Sequence, residues 1–260
     1  MKTGKTFIAL CTVVFIFLMV VNINHEVLAA DITAGLGIAA APDYEGSDDY
    51  NMLPFPMLTV KWDDHRSINW VGTKAKANLI PSETWKGGVV LQYIQKRDDD
   101  VDDGKVKDMD EVDASLMTGG FLGYHFNAWN VSIEAMTDLI DGNDGTIIRF
   151  NGGYKIPVDD VWHVSLGAFT TWADDDYMEA YFEVDAMDAA ASGLSTFDAD
   201  SGLKDIGASV SVSYSQWDPW GVMGLLQYAR LLGDAKDSPV TDDQGSAGQI
   251  TAGLLATYKF

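Results

Sequence analysis

Apolar and polar residues alternate along most of this 260-residue chain, and almost no stretch repeats its apolar residues at helical period. Successive side chains of a strand point to opposite faces, so a period of two separates two surfaces. In GASVSVSY, Ala208, Val210, Val212 and Tyr214 face one way and Ser209, Ser211 and Ser213 the other. Twelve segments read this way, near 32–41, 55–62, 67–79, 85–96, 112–126, 129–138, 146–156, 161–172, 177–184, 203–215, 220–232 and 248–260. Turn chemistry separates them, as in Asp63-Asp64-His65, Asn127-Ala128, Asp141 to Gly145 and Asp218-Pro219. Many evenly spaced strands imply an all-β sandwich or a barrel.

The composition of the two faces favours a single antiparallel transmembrane β-barrel of the outer-membrane type. In such a barrel the apolar face meets lipid and the polar face lines the lumen. Ile148, Phe150, Tyr154 and Ile156 alternate with Arg149, Asn151 and Lys155, and Val131, Ile133 and Ala135 alternate with Asn130, Ser132, Glu134 and Asp138. The inward set therefore includes Glu134, Asp138, Arg149, Lys155, His163, Ser165, Ser209, Ser211 and Ser213, with opposite charges on 129–138 and 146–156 expected to interact across the strands. Trp62, Trp85, Trp129, Trp162, Trp172 and Trp220 stand at strand ends, where an interfacial girdle lies. Twelve strands place the connections at 97–111 and 173–176 in the periplasm and the tight turns at 127–128 and 157–160 outside, against the usual habit. Ten strands, with 177–184 in an outer loop and one early segment miscounted, would remove that conflict.

Residues 1–30 read as a cleaved secretory signal: Lys2 and Lys5, an apolar run from Phe7 to Val21, then Val27-Leu28-Ala29-Ala30. The barrel is expected over 31–260. The sole cysteine, Cys11, falls inside the signal. Removing Lys2, Lys5 and Glu26 changes the formal charge from −22 to −23. Such acidity argues against nucleic acid as a partner.

The last strand ends on Tyr258 and Phe260, with Ala256, Leu254, Ala252 and Ile250 on the same face. That ending resembles the C-terminal signature of bacterial outer-membrane barrels, which the barrel assembly machinery recognises.

Chemistry-bearing patterns are sparse. His163 and Ser165 share a strand face, the pairing a lumenal lipid A hydrolase would use, but no orienting acid or oxyanion site accompanies them. The runs Asp98 to Asp103, Asp174 to Asp176 and Asp242-Asp243 lack the order of an EF-hand and read as solvated loops. No catalytic residue, cofactor or metal is expected.

Several stretches occur in an order that resembles the MltA-interacting protein (MipA/OmpV) family: GLGIAAAPDYEGSDD (35–49), PFP (54–56), RDDDVDD (97–103), WADDDYMEAYFEV (172–184), ASGLSTFDADSGLKDIG (191–207) and LLGDAKDSPVT (231–241). Glu183 departs from the pattern, which has glycine before the valine. The resemblance implies a non-enzymatic barrel in the outer membrane of a Gram-negative bacterium, surrounded by lipid and lipopolysaccharide. It further implies a scaffold joining a lytic transglycosylase to a murein synthase, with a passive porin-like channel as the alternative.

Overall fold

The computed structural model describes residues 30–260. The signal-peptide expectation lies outside the described residues except at Ala30, which opens the first strand. Twelve strands close into an antiparallel barrel in which each pairs with its sequence neighbours and the last pairs with the first. They are β1 (Ala30–Pro42), β2 (Tyr50–Trp62), β3 (Ser67–Val71), β4 (Lys74–Asn78), β5 (Trp85–Ile94), β6 (Ser115–Phe126), β7 (Trp129–Asp138), β8 (Thr146–Pro157), β9 (Trp162–Ala173), β10 (Gly202–Trp217), β11 (Trp220–Leu231) and β12 (Gly248–Lys259).

Two segments differ from the sequence reading, and the differences cancel in the count. The stretch 67–79 is two strands rather than one, because Gly72 adopts φ +59° and turns the chain between Val71 and Lys74. The stretch 177–184 is no strand. Asp175–Phe182 forms a helix, α1, whose first turn is capped by the Asp174 carboxylate accepting from Tyr177 N. Tyr177, Met178, Tyr181 and Phe182 recur at helical spacing and all are buried. Three further short α-helices, α2 (Ala186–Ser192), α3 (Gly233–Asp237) and α4 (Pro239–Asp242), and a 3-10 turn at Val106–Asp108 lie in the same set of loops.

The conflict over sidedness disappears with these corrections. The connections 43–49, 95–114, 139–145, 174–201 and 232–247 emerge at one end, and 63–66, 79–84, 127–128, 158–161 and 218–219 at the other. Short turns mark the periplasmic end of such barrels, so the helices lie outside and Phe260 lies in the periplasm. The ten-strand alternative does not hold.

The outward face is apolar and flanked by aromatic rings. Ile38, Val89, Val131, Phe150, Leu226 and Leu254 are exposed along it. Around the periplasmic end, Trp85 packs on Tyr124, Trp129 on Tyr154, Trp162 on Tyr214, and Trp220 on Tyr258, which meets Phe260. Trp162 and Trp172 bound the outward face of β9, and ten residues of a tilted strand rise about 26 Å, close to the height of an outer-membrane apolar band.

β3 and β4, of five residues each, stop well below the outer rim. β2 continues past them: Met57 pairs with Val71, and beyond it, among the described residues, the edge is closed only by Gly72 N donating to Pro56 O. Residues two apart along a strand turn their backbone groups the same way, so Pro54 also faces this gap, and proline has no N–H to leave unpaired there.

Candidate functional site in the lumen

Alternation on every strand fixes an inward set, and the register aligns these sets around the barrel. Glu134 faces inward on β7 beside Arg149 on β8, and is 3% exposed. Its carboxylate does not pair with Arg149, as charge alternation suggested. It pairs with Lys74 and Lys76, reached from β4 across the lumen, the latter at 2.7 Å, and accepts from Asn151 Nδ2 at 3.2 Å. Arg149 instead donates from Nε to Thr171 Oγ1 at 3.1 Å and lies over the Phe169 ring. Among the described residues Asp138 makes no cross-strand ion pair. It accepts from the backbone N–H groups of Leu139, Asn143 and Leu116, which shapes the 139–145 loop.

The remaining predicted residues lie nearer the periplasmic end. Ser209, Ser211 and Ser213 oppose Gly167, Ser165 and His163 in the β9–β10 ladder, and Lys155 opposes Ser165 from β8. Lys155 and His163 are exposed, and the three serines are partly so. Among the described residues neither His163 nor Ser165 makes a side-chain hydrogen bond.

Solvent reaches this lower lumen, but the outer mouth is shut. Tyr177, Met178, Tyr181 and Phe182 of α1 pack onto Val90, Met117, Met136, Ile147 and Leu231 from the barrel wall. Phe182 is fully buried, as are Ala173 and Ala235. Polar ties lock the lid from several loops. Tyr177 Oη donates to Glu45 Oε2 at 2.9 Å, and Glu45 also pairs with Lys204, itself 2.8 Å from Asp205. Arg97 Nη1 donates to Tyr181 O at 2.9 Å, Asn143 Nδ2 to Tyr181 Oη at 3.2 Å, and Ser238 Oγ to Phe182 O at 2.6 Å. Burial raises the Tyr177 phenol well above its ordinary value, with Glu45 adding to the shift, and burial likewise raises Tyr181. Both are held as neutral hydroxyls.

Beside the lid, Arg97, Asp110, Glu111, Glu179, Glu183 and Asp188 line an open cavity of about 270 Å³. Burial and neighbouring acids, Glu179 first, raise Glu183, and burial raises Asp188 despite its bond from Asp110 N. Among the described residues no group of His, Cys, Asp and Glu is arranged to hold a metal ion. The lid, Lys74, Lys76 and Arg97 were missed in the sequence. A helical stripe was visible in DYMEAYF, but the lysines carry no local signal of a partner 58 or 60 positions away.

A family model described as MltA-interacting protein MipA matches residues 34–260. The chain belongs to the MipA family. Within this MipA-family chain Glu183 caps α1 in an extended conformation, φ −68° and ψ 149°, which requires no glycine. No curated protein matches. Three solved structures that are similar to this chain are the NanC porin, an outer membrane channel from Pseudomonas putida F1, and the CymD monoaromatic hydrocarbon channel. The first has 10% identity and a TM-score of 0.46, covering 86% of this chain and 100% of its own. The second has 10% identity and a TM-score of 0.44, covering 90% and 96%, and the third 12% and 0.38, covering 90% and 89%.

Proposed function

We propose that the protein is a non-enzymatic outer-membrane scaffold: a barrel sealed at its outer mouth that offers its periplasmic end to a murein-cleaving enzyme of the kind named in the family description, and to a murein synthase. The observation that carries this reading is the packing of α1 into the mouth. A passage for solutes needs a continuous wet path, and Tyr177, Met178, Tyr181 and Phe182 fill that path with buried apolar side chains tied to four other loops. The barrel then serves as an anchor, and its accessible surfaces are the periplasmic turns and the lower lumen. In planar bilayers the reconstituted protein is expected to give no steady conductance, and the immobilised barrel is expected to retain a purified lytic transglycosylase. Stable channels without retention would overturn the scaffold.

One observation favours a passive channel as the second reading. The inward row Ser209, Ser211, Ser213 and Lys155 is reached by solvent, as the wall of an aqueous path would be. That reading requires the lid to move, and the same conductance measurement decides it.

A further inference from the structure

The chain carries 39 acidic and 17 basic residues, yet its lumen is basic. Lys61 on β2, Lys74 and Lys76 on β4, Lys86 on β5, and Arg149 and Lys155 on β8 all stand at inward positions of their ladders. Three other inward carboxylates are already engaged. Asp31 lies 3.9 Å from Lys259, Asp205 is paired with Lys204, and Asp138 holds loop N–H groups. Asp31 stands opposite Lys61 in the β1–β2 ladder and Glu134 holds Lys74 and Lys76; with the Asp31–Lys259 and Asp205–Lys204 pairs neutral and both Glu134 and Asp138 counted, the inward set keeps a formal +4.

The wall on the other side supplies one carboxylate, Asp31 near the periplasmic end, opposite Lys61 and 3.9 Å from Lys259. From β11 through β12 and β1 to β3 it presents Met223, Leu225, Leu255, Phe55, Met57 and Val71, an apolar cluster. Of the periplasmic-turn carboxylates, Glu83 lies close enough to Lys86 to attract it, while Asp64 is bound by Arg66 at 2.6 Å and Asp159 by the N–H groups of Val161 and Trp162. Acidity is concentrated in the outer loops, beyond the lid.

These cations are spread along the barrel. Lys61, Lys86 and Lys155 lie by the periplasmic mouth, and Lys86 and Lys155 are close enough to repel. Six residues of tilted strand, about 16 Å of height, separate Lys155 from Arg149. Arg149 lies by Lys74, and Lys76 sits over the Phe121 ring at 4.4 Å. Like charges held together in a walled cavity focus a field that concentrates anions. No buried group consumes Lys61 or Lys155, which make no side-chain contact with a partner among the described residues.

We infer that the lower lumen is a binding site for an extended oligomeric carboxylate entering from the periplasm. Its first carboxylates meet Lys61, Lys86 and Lys155, and a later one reaches Arg149. The inference goes beyond the scaffold reading and rests on lumenal charge alone. Failure to retain a murein enzyme therefore leaves it standing, and the measurement below does not test the scaffold.

The probe is fluorescently labelled hexaglutamate, titrated by anisotropy against the folded, detergent-solubilised protein at low salt, with labelled hexaglutamine as the neutral control. Saturable binding of hexaglutamate alone is expected, weakening as salt rises. The double variant Lys61→Gln with Lys155→Gln, checked for normal heat-modifiability, should bind about five- to tenfold more weakly. Lys236→Gln in the outer loops should bind as the parent does. Hexaglutamine binding as tightly, no saturation with hexaglutamate, or an unchanged affinity in the folded double variant would overturn the site.

Discussion

Glu134 on β7 accepts from Lys76 Nζ on β4 at 2.7 Å, and the two strands are not neighbours: β5 and β6 separate them in the wall. The ion pair therefore spans the lumen as a tie. Removing the carboxylate strands two partly buried ammonium groups, and Glu134→Gln is expected to cost about 3 kcal/mol. Unfolding in lipid vesicles measures this. In double-mutant cycles Glu134 should couple more strongly to Lys76 than to its ladder partner Arg149. The opposite order would contradict the tie.

The lid depends on a close approach at Gly145. A Cβ there would stand 2.5 Å from Tyr177 Cβ and 2.6 Å from Tyr177 N, backbone that cannot give way without moving α1. Gly145→Ala is expected to lift the helix from the mouth, giving intermittent current in planar bilayers and faster proteolysis within 174–201. A silent, protease-resistant variant would mean the mouth is held without α1.

At the C-terminus, Phe260 N donates to Ile32 O at 3.0 Å and its ring meets Tyr258. Replacing Phe260 with a charge puts an ionic group at the interfacial girdle. Lower outer-membrane levels and a reduced heat-modifiable fraction on gels are expected. Normal levels would separate this aromatic from assembly.

The acids beside the lid impose a pH dependence. Glu183 and Asp188 both bind their protons more tightly in the folded protein than in the unfolded chain, chiefly through burial. Their contribution to the lid is thus greatest in acid and is lost as pH rises through their raised values. After correction for intrinsic rates, amide exchange across 175–192 should be slower near pH 4 than near pH 7. Glu183→Gln should shrink the difference.

The strand from Gly202 to Trp217 was legible because GASVSVSY admits no helical reading: each polar position is a serine and each apolar one falls at period two. DYMEAYFEV was ambiguous. Tyr177 and Tyr181, and Met178 and Phe182, recur four apart, but the segment also carries the aromatics of a strand. Its state is decided by the Asp174 cap and by apolar surface on five other strands and loops, which no local window contains. The short hairpin was hidden for a similar reason, since Gly72 is one glycine in a continuous alternation. Inward placement needs only parity, whereas the partners of Glu134 depend on barrel closure.

The low hairpin of β3 and β4 has a consequence for the surrounding bilayer. A spanning strand needs about 9 to 11 residues, and five reach only about half as far. Lipid beside Pro54 and Gly72 meets a hydrophobic surface shorter than that presented by β8 or β11, and it adapts by thinning. The perimeter is therefore not equivalent in all directions. One azimuth, between β2 and β5, offers the outer leaflet less apolar height than the rest of the wall does. The protein thus has a heading within the membrane plane.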